Sequence, residues 1–141
     1  MSRSFAMIAL HPQCWDMCRN GSKIWELRKV THSPRCVDGL VVYATSPVSR
    51  IVGEVDLVSY HTGYVDDIWH VVKDGCGITR EEYDLYYRGH ETAIACRLGN
   101  VYEYIPSLDV LFPPQGYRYL YLGEYGGFLA TTERRLVHAA R

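Results

Sequence analysis

The chain has 141 residues, of which 48% are hydrophobic and 22% are charged. This length fits one domain, and the hydrophobic fraction excludes a disordered protein. The net charge of −1 excludes a protein that attracts nucleic acid by overall basic charge, so any such site must be a local patch.

The first part of the chain is predicted to form a strand, a helix and a second strand. The short apolar run over 4–10 is typical of a buried strand. A proline at position 12 and the apolar spacing after it predict a helix over 12–20, which ends at Gly21 in a left-handed turn. A strand over 23–29 follows and places Trp25 and Leu27 on one face.

Two further strands are predicted before the first of two short helices. Residues 40–45 are almost continuously apolar, which indicates a central strand. A turn leads into a longer strand over 50–60, where Gly53 indicates a bulge.

Two short helices are predicted next, over 65–73 and 79–88. Thr79 and Glu82 have the spacing of a capping box, which fixes the start of the second helix. A strand follows over 91–99.

The last part combines weaker signals. Ser107 has the position of a cap for one helical turn, and the alternating aromatic residues of 117–124 predict a strand. The segment 126–141 is predicted to be a short helix or a frayed end. Strands therefore dominate an α+β fold, and we expect a small mixed β-barrel with short helices at its ends.

No targeting or membrane segment is evident. No apolar run reaches the ~18 residues that a membrane helix needs. The apolar core of the first twelve residues is too short for a secretory signal. We therefore expect a cytoplasmic protein with no membrane partner, in which the five cysteines stay reduced.

A metal site is not predicted, although five residues have suitable types and spacing: His11, Cys14, Cys18, His32 and Cys36. The cysteines of the first helix share its apolar stripe with Trp15 and Met17, which favours a role in the core. The sequence also has no CxxC pair, P-loop or GxGxxG, so we expect no metal and no cofactor.

The most informative stretch is the strand after Gly21, where Lys23, Glu26 and Arg28 follow one another closely. One interpretation is a solvated strand edge, in which exposed charges contribute about 0–1 kcal/mol to folding. The alternative is a ligand site, because a carboxylate flanked by two cations is suited to a polar ligand.

The spacing Gly21-x-Lys23-x-x-Glu26-x-Arg28 matches GxKxxExR, the signature of the ASCH domains, a branch of the PUA-like superfamily. The chain resembles this family in further blocks, over 9–29, 41–55, 77–98 and 113–120. The resemblance covers about Phe5 to Leu122. It implies a PUA-like β-barrel formed by residues 1–125, followed by the tail 126–141.

The resemblance also implies a cleft lined by the GxKxxExR strand, in which such domains bind RNA or modified nucleotides. Some relatives are small amidohydrolases that deacylate N4-acetylcytidine with a lysine, a threonine and a glutamate, and others are reported as ribonucleases. Lys23 matches the catalytic lysine, but Glu26 stands where the amidohydrolases have threonine. The partner glutamate falls near Glu82.

We therefore predict a protein that recognises RNA or a nucleotide-like ligand in this cleft. Lys23 and Arg28 would meet phosphate or base oxygens, and Glu26 would accept from an exocyclic amine. The remaining wall is predicted from strand ends and aromatic residues, which are equally suited to a barrel core: Tyr43, Thr45, Ser46, Gln115, Tyr117 and Tyr119.

Two other classes of function remain open. One is a hydrolase acting on RNA or on an acylated pyrimidine nucleoside, with Lys23 and Glu26 as catalytic residues and a lowered pKa for Lys23. The other is a protein-interaction module, for which the sequence indicates no particular partner.

Overall fold

The computed structural model describes residues 3–29 and 37–140. In this part of the chain, strands and helices follow in this order: β1 (Phe5–Leu10), α1 (Pro12–Arg19), β2 (Trp25–Lys29), β3 (Gly39–Ala44), β4 (Arg50–Tyr64), α2 (Val65–Val72), α3 (Arg80–Tyr86), β5 (Thr92–Leu108), β6 (Tyr117–Tyr119), α4 (Glu124–Leu129) and β7 (Glu133–His138). None of these helices is long and apolar enough to cross a lipid bilayer.

The strands form one mixed sheet in the order β2-β5-β4-β3-β1-β6, with β7 paired to β5. The β1–β3 pair is parallel, and the other pairs are antiparallel. The register of β4 against β5 shifts between Ile51 and Gly53, as expected for a bulge. The sheet curls into a half-barrel, which confirms the predicted α+β class and barrel-like sheet.

The curled sheet has a seam. Strands β2 and β6 end the strand order, so among the described residues each has a strand partner on one edge only. The side chains of β2 and β6 nevertheless meet, because the Arg28 guanidinium lies over the Tyr117 ring. This seam positions the candidate site.

Three groups of buried side chains stabilise the fold. The first group joins Trp15 of α1 to Ile8 and Val42 of the sheet. The second lies under α2 and α3 and contains Trp25 and Leu27, each 8% exposed, which confirms the predicted buried face of β2. The third lies against Tyr125 and Phe128 of α4.

The three predicted helices are confirmed as α1, α2 and α3. Gly21 has a φ of 82°, the left-handed conformation expected after α1. The capping box of α3 is formed in both directions, because the Thr79 hydroxyl accepts from the Glu82 N–H while Glu82 accepts from the Thr79 N–H.

The expectation of a helical turn capped by Ser107 is wrong. Ser107 belongs to β5, and its side chain and carbonyl accept hydrogen bonds from the Arg50 guanidinium at 2.7 Å each. The predicted strand over 117–124 is shorter than expected, since β6 ends at Tyr119 and α4 begins at Glu124.

The C-terminal segment is also corrected, because residues 133–138 form the strand β7 rather than a helix or a frayed end. Its partner is β5, and Arg134 reaches the fully buried Glu54 with an Nε–Oε1 distance of 3.0 Å. The hydroxyls of Tyr104 and Tyr125 donate to the same Glu54 oxygen at 2.8 and 2.7 Å. A buried carboxylate needs such partners, and this requirement fixes β7 to the sheet.

Candidate functional site

A cleft of about 610 Å³ opens at the seam between β2 and β6. It is bounded by the end of β1, the start of α1, the loop between α2 and α3, and α3 itself. Its polar lining consists of residues from both sides of the seam: His11, Lys23, Glu26, Arg28, Lys29, Tyr86, Gln115 and Tyr117. A cavity of this size matches sites that enclose small organic ligands.

Lys23 is buried in the cleft wall and is only 7% exposed. Its Nζ donates to the carbonyl oxygens of Trp25, at 2.6 Å, and of Cys76, at 3.1 Å. The Glu26 Oε2 lies 3.4 Å from the same nitrogen. These three partners match the three N–H groups of an ammonium, so the interpretation of Lys23 as a solvated edge charge is wrong.

The surroundings of Lys23 keep it protonated. Burial acts to lower the pKa of the ammonium, but the nearby Glu26 carboxylate and its hydrogen bond outweigh this effect, and the pKa is raised above its ordinary value. A neutral amine at Lys23, which base or nucleophile chemistry requires, is therefore disfavoured. The lysine acts as a fixed cation.

Glu26 is oriented by this cation. Its side chain is 13% exposed, and Oε2 points toward Lys23. The second oxygen, Oε1, has no hydrogen-bond partner in the described ranges 3–29 and 37–140. The carboxylate thus keeps acceptor capacity at the cleft wall while its charge is balanced from behind.

Arg28 spans the seam, with its guanidinium carbon 3.4 Å from the centroid of the Tyr117 ring. Burial raises the pKa of the Tyr117 hydroxyl to about 12, although Arg28 acts in the opposite direction. Within the described part of the chain, Arg28 has no carboxylate partner. A guanidinium stacked on one face leaves the N–H groups on its edge for a planar or anionic ligand.

A second cation–aromatic pair lies beside the first. The Lys29 ammonium is 4.4 Å from the centroid of the Tyr86 ring, and both residues line the cleft. The Tyr86 hydroxyl also donates to the Leu27 carbonyl at 3.5 Å, which ties α3 to β2. The cleft therefore presents two aromatic rings, each next to a cation.

The structure brings five of the predicted site residues together: Lys23, Glu26, Arg28, Gln115 and Tyr117. Tyr43 does not line the cleft, because it packs with Val41 on the third buried group. Thr45 is not among the lining residues and has its hydroxyl 3.4 Å from the His11 ring, and Ser46 is in an exposed turn.

Two further residues considered from the sequence, one aromatic and one acidic, also lie outside the cleft. Tyr119 packs on the first buried group and meets Tyr117 edge to face. Glu82 is held in the α3 capping box, where hydrogen bonds from the Thr79 N–H and hydroxyl lower its pKa. Neither Tyr119 nor Glu82 is among the described residues that line the cleft.

Sequence reasoning missed two polar residues of the site and misjudged a third. Lys29 and Tyr86 were not predicted as site residues, and His11 was considered only as a metal ligand. His11 lies at the end of β1, directly before Pro12, and ends of central strands often carry functional groups. Tyr86 is brought in by the packing of α3, for which the sequence contains no local signal.

No group of three or more potential metal ligands occurs within residues 3–29 and 37–140. Burial raises the pKa of Cys18 to about 12 and also raises that of Cys14, so neither thiol is prone to form the thiolate that metals prefer. His32 and Cys36 lie outside the described residues.

Comparison with solved structures identifies the fold. A crystal structure of the ASCH protein from Zymomonas mobilis matches with a TM-score of 0.82 and 23% identity, covering 94% of this chain and 98% of that one. A mutant of the same protein matches with a TM-score of 0.83 and 24% identity, covering 93% and 98%. The predicted resemblance to ASCH domains is thereby confirmed at the level of the fold.

Sequence comparison gives partial matches. No protein-family model matches the chain. An ASCH domain-containing ribonuclease from Zymomonas mobilis is 28% identical over 93 residues, which are 66% of this chain and 63% of that protein.

Large ribosomal subunit protein uL22 from Ureaplasma parvum is 34% identical over 86 residues, or 57% of this chain. This chain spans only 28% of that ribosomal protein, so the match concerns a small part of it.

Proposed function

We propose that this ASCH-fold chain binds RNA or a nucleotide-like ligand in the cleft at the seam of the half-barrel. The observation that carries the proposal is the arrangement of Arg28, Tyr117 and Glu26. A stacked guanidinium without a carboxylate partner stands next to a carboxylate with a spare oxygen. This combination supplies donors, an acceptor and an aromatic surface within one cleft.

Each group suits a part of a nucleotide. Arg28 would donate to a phosphate or a base carbonyl, and Glu26 Oε1 would accept from an exocyclic amine. Lys23 would hold Glu26 in place rather than touch the ligand with a free N–H. The Tyr86 ring, which is 39% exposed, would support base stacking, which is worth about 1–3 kcal/mol per base.

The distribution of charge supports a phosphate-bearing ligand at the barrel. Residues 65–91, which include α2 and α3, contain seven acidic and three basic residues and carry a net charge of −4. The rest of the chain consequently carries +3, although the whole chain carries −1. Such asymmetry would favour an anionic strand that approaches the cleft from the sheet side, away from α2 and α3.

RNA is favoured over other nucleotides by one relative. The Zymomonas mobilis protein that matches 66% of this chain is named a ribonuclease. RNA offers the unstacked bases and backbone oxygens that these side chains would recognise.

The test is the affinity for a fluorescent single-stranded RNA, measured by anisotropy at fixed salt for Arg28→Ala. Loss of a charge-assisted contact costs about 1.5–3 kcal/mol, so binding should weaken roughly tenfold or more. The matched control is Arg135→Ala, which removes an exposed arginine from β7. Parent-like affinity of Arg28→Ala would contradict the proposal.

RNA cleavage is the second candidate, and the name of the same relative favours it. Glu26 would take the proton of a ribose 2′-hydroxyl, whose oxygen would attack the adjacent phosphorus. The bond to the 5′-oxygen would break, and His11, which lines the cleft, would protonate that oxygen. Cyclic 2′,3′-phosphate products from labelled RNA, lost in Glu26→Gln, would establish this activity, and intact RNA would exclude it.

A further inference from the structure

A second cavity, of about 350 Å³, adjoins the cleft at Lys23, which lines both. It lies at the start of β2 and is bounded by the end of α1, by β5 and by the end of β7. The cleft function does not use this cavity. Because Lys23 lines both, the two cavities are neighbours, and a ligand that occupies both must be longer than one nucleotide.

The lining of the second cavity is suited to an anion. Arg97 and His138 contribute to it together with Lys23, and no carboxylate occurs among its described lining residues. Asp56, which packs beside Gly99 of the cavity wall, is already paired with Arg3 at 2.8 Å. The Lys23 charge is balanced by Glu26, so Arg97 supplies the unpaired positive charge of this cavity.

Arg97 is held in position without being neutralised. It lies directly opposite Trp25 in the β2–β5 pairing, and its guanidinium carbon is 5.3 Å from the Trp25 ring centroid. In the part of the chain that the structure describes, Arg97 has no carboxylate partner. A guanidinium fixed on an aromatic ring loses little freedom when it binds an oxyanion.

His138 is fixed in the opposite wall. Its imidazole occupies the space where a side chain at position 21 would stand, and Gly21 has a φ of +82°. Only glycine satisfies both this contact and this backbone conformation without strain. The packing keeps the ring, with its polar nitrogens, at the cavity wall.

We propose that the second cavity is a phosphate subsite for the nucleotide next to the one in the cleft. The ligand is then a single RNA strand of at least two nucleotides rather than a free nucleoside. The inference rests on the proposed function of the cleft. Arg97 contributes charge to the neighbouring phosphate and does not contact the nucleotide in the cleft.

The experiment compares two probes, a nucleoside monophosphate and a tetranucleotide, with the parent protein and with Arg97→Gln. We expect Arg97→Gln to bind the tetranucleotide about tenfold more weakly and the monophosphate like the parent. The slope of log affinity against log salt for the tetranucleotide should fall by about 0.7, the value for one phosphate contact on a single strand. Arg135→Gln, which removes an exposed arginine that lines neither cavity, is the matched control.

The outcomes separate this inference from the function of the cleft. If Arg97→Gln binds both probes like the parent, or loses affinity equally for both, the subsite is excluded while the cleft still binds. If the parent binds neither probe, the function of the cleft itself fails. If Arg97→Gln melts at a lower temperature than the parent, His138→Gln tests the other wall of the cavity independently. Parent-like tetranucleotide binding by a folded His138→Gln would then exclude the subsite.

Discussion

Lys23 connects the stability of the site to its chemistry. Its ammonium satisfies two backbone carbonyls and balances Glu26, so the residue ties the start of β2 to the loop after α2 and sets the direction of the carboxylate. Because the raised pKa keeps the charge in place, Lys23 presents Glu26 to the cleft as a fixed acceptor. The cation is thus a positioning group.

Replacing Lys23 should destabilise the protein. Lys23→Met leaves Glu26 charged and poorly solvated, and breaking a buried pair costs about 3–5 kcal/mol. The double variant Lys23→Met/Glu26→Gln should recover part of the loss, because the unpaired charge is gone. Denaturant unfolding measures both, and a loss below about 1 kcal/mol for Lys23→Met would show that the pair behaves like an exposed one.

Hydrolysis of N4-acetylcytidine should be absent. Lys23 stays protonated, and Glu26 stands where the amidohydrolases have threonine, so the chain lacks both a neutral amine and the hydroxyl. Incubation with N4-acetylcytidine, followed by chromatography of the nucleosides, should release no cytidine above the uncatalysed background. Multiple turnovers that disappear in a folded Lys23→Met variant would contradict this expectation.

At the scale of elements, the link from β6 to α4 is held by an ion pair. Arg118 Nη1 and Nη2 donate to the two oxygens of Glu124 at 2.8 and 2.7 Å, and both side chains are 17% exposed. The Tyr121 N–H also donates to Glu124, at 2.9 Å. These contacts hold the segment that follows the cleft wall at Tyr117.

This pair should make stability depend on pH. The hydrogen bond from Arg118 lowers the pKa of Glu124 below its ordinary value of 4.5, against the effect of burial. The stabilisation is therefore complete above the unfolded-state pKa and is lost as pH falls through the lower folded-state pKa. The melting temperature should fall more steeply with decreasing pH in the parent than in Glu124→Gln. Parallel plots of melting temperature against pH for the two proteins would show that the Arg118–Glu124 pair does not cause the pH dependence.

Most elements follow from local signals in the sequence, and the exceptions have physical reasons. The caps at Gly21 and Thr79 predict the ends of helices because they act on neighbouring backbone groups. Strand β7 could not be predicted, since Arg134 meets Glu54, a partner 80 positions earlier in the chain. Tyr43 was expected in the cleft, but strand alternation places it with Val41.

At the scale of the whole molecule, the cleft exists because the barrel does not close. The spacing of Lys23, Glu26 and Arg28 predicts one wall, since these residues share a short segment. The opposing wall comes from β6, α3 and the end of β1, so only the folded chain brings Tyr86 and His11 to it. The motif therefore indicates the site but not its full lining.

We expect RNA to occupy the seam between β2 and β6. Cross-linking with a 4-thiouridine oligonucleotide, followed by mass spectrometry of peptides, locates the bound RNA on the protein. Adducts should map to peptides containing Tyr86 or Tyr117, should be competed by unlabelled RNA and should decline in Arg28→Ala. Adducts confined to the acidic outer surface of α2, or an unchanged adduct pattern in Arg28→Ala, would show that RNA does not bind at the seam.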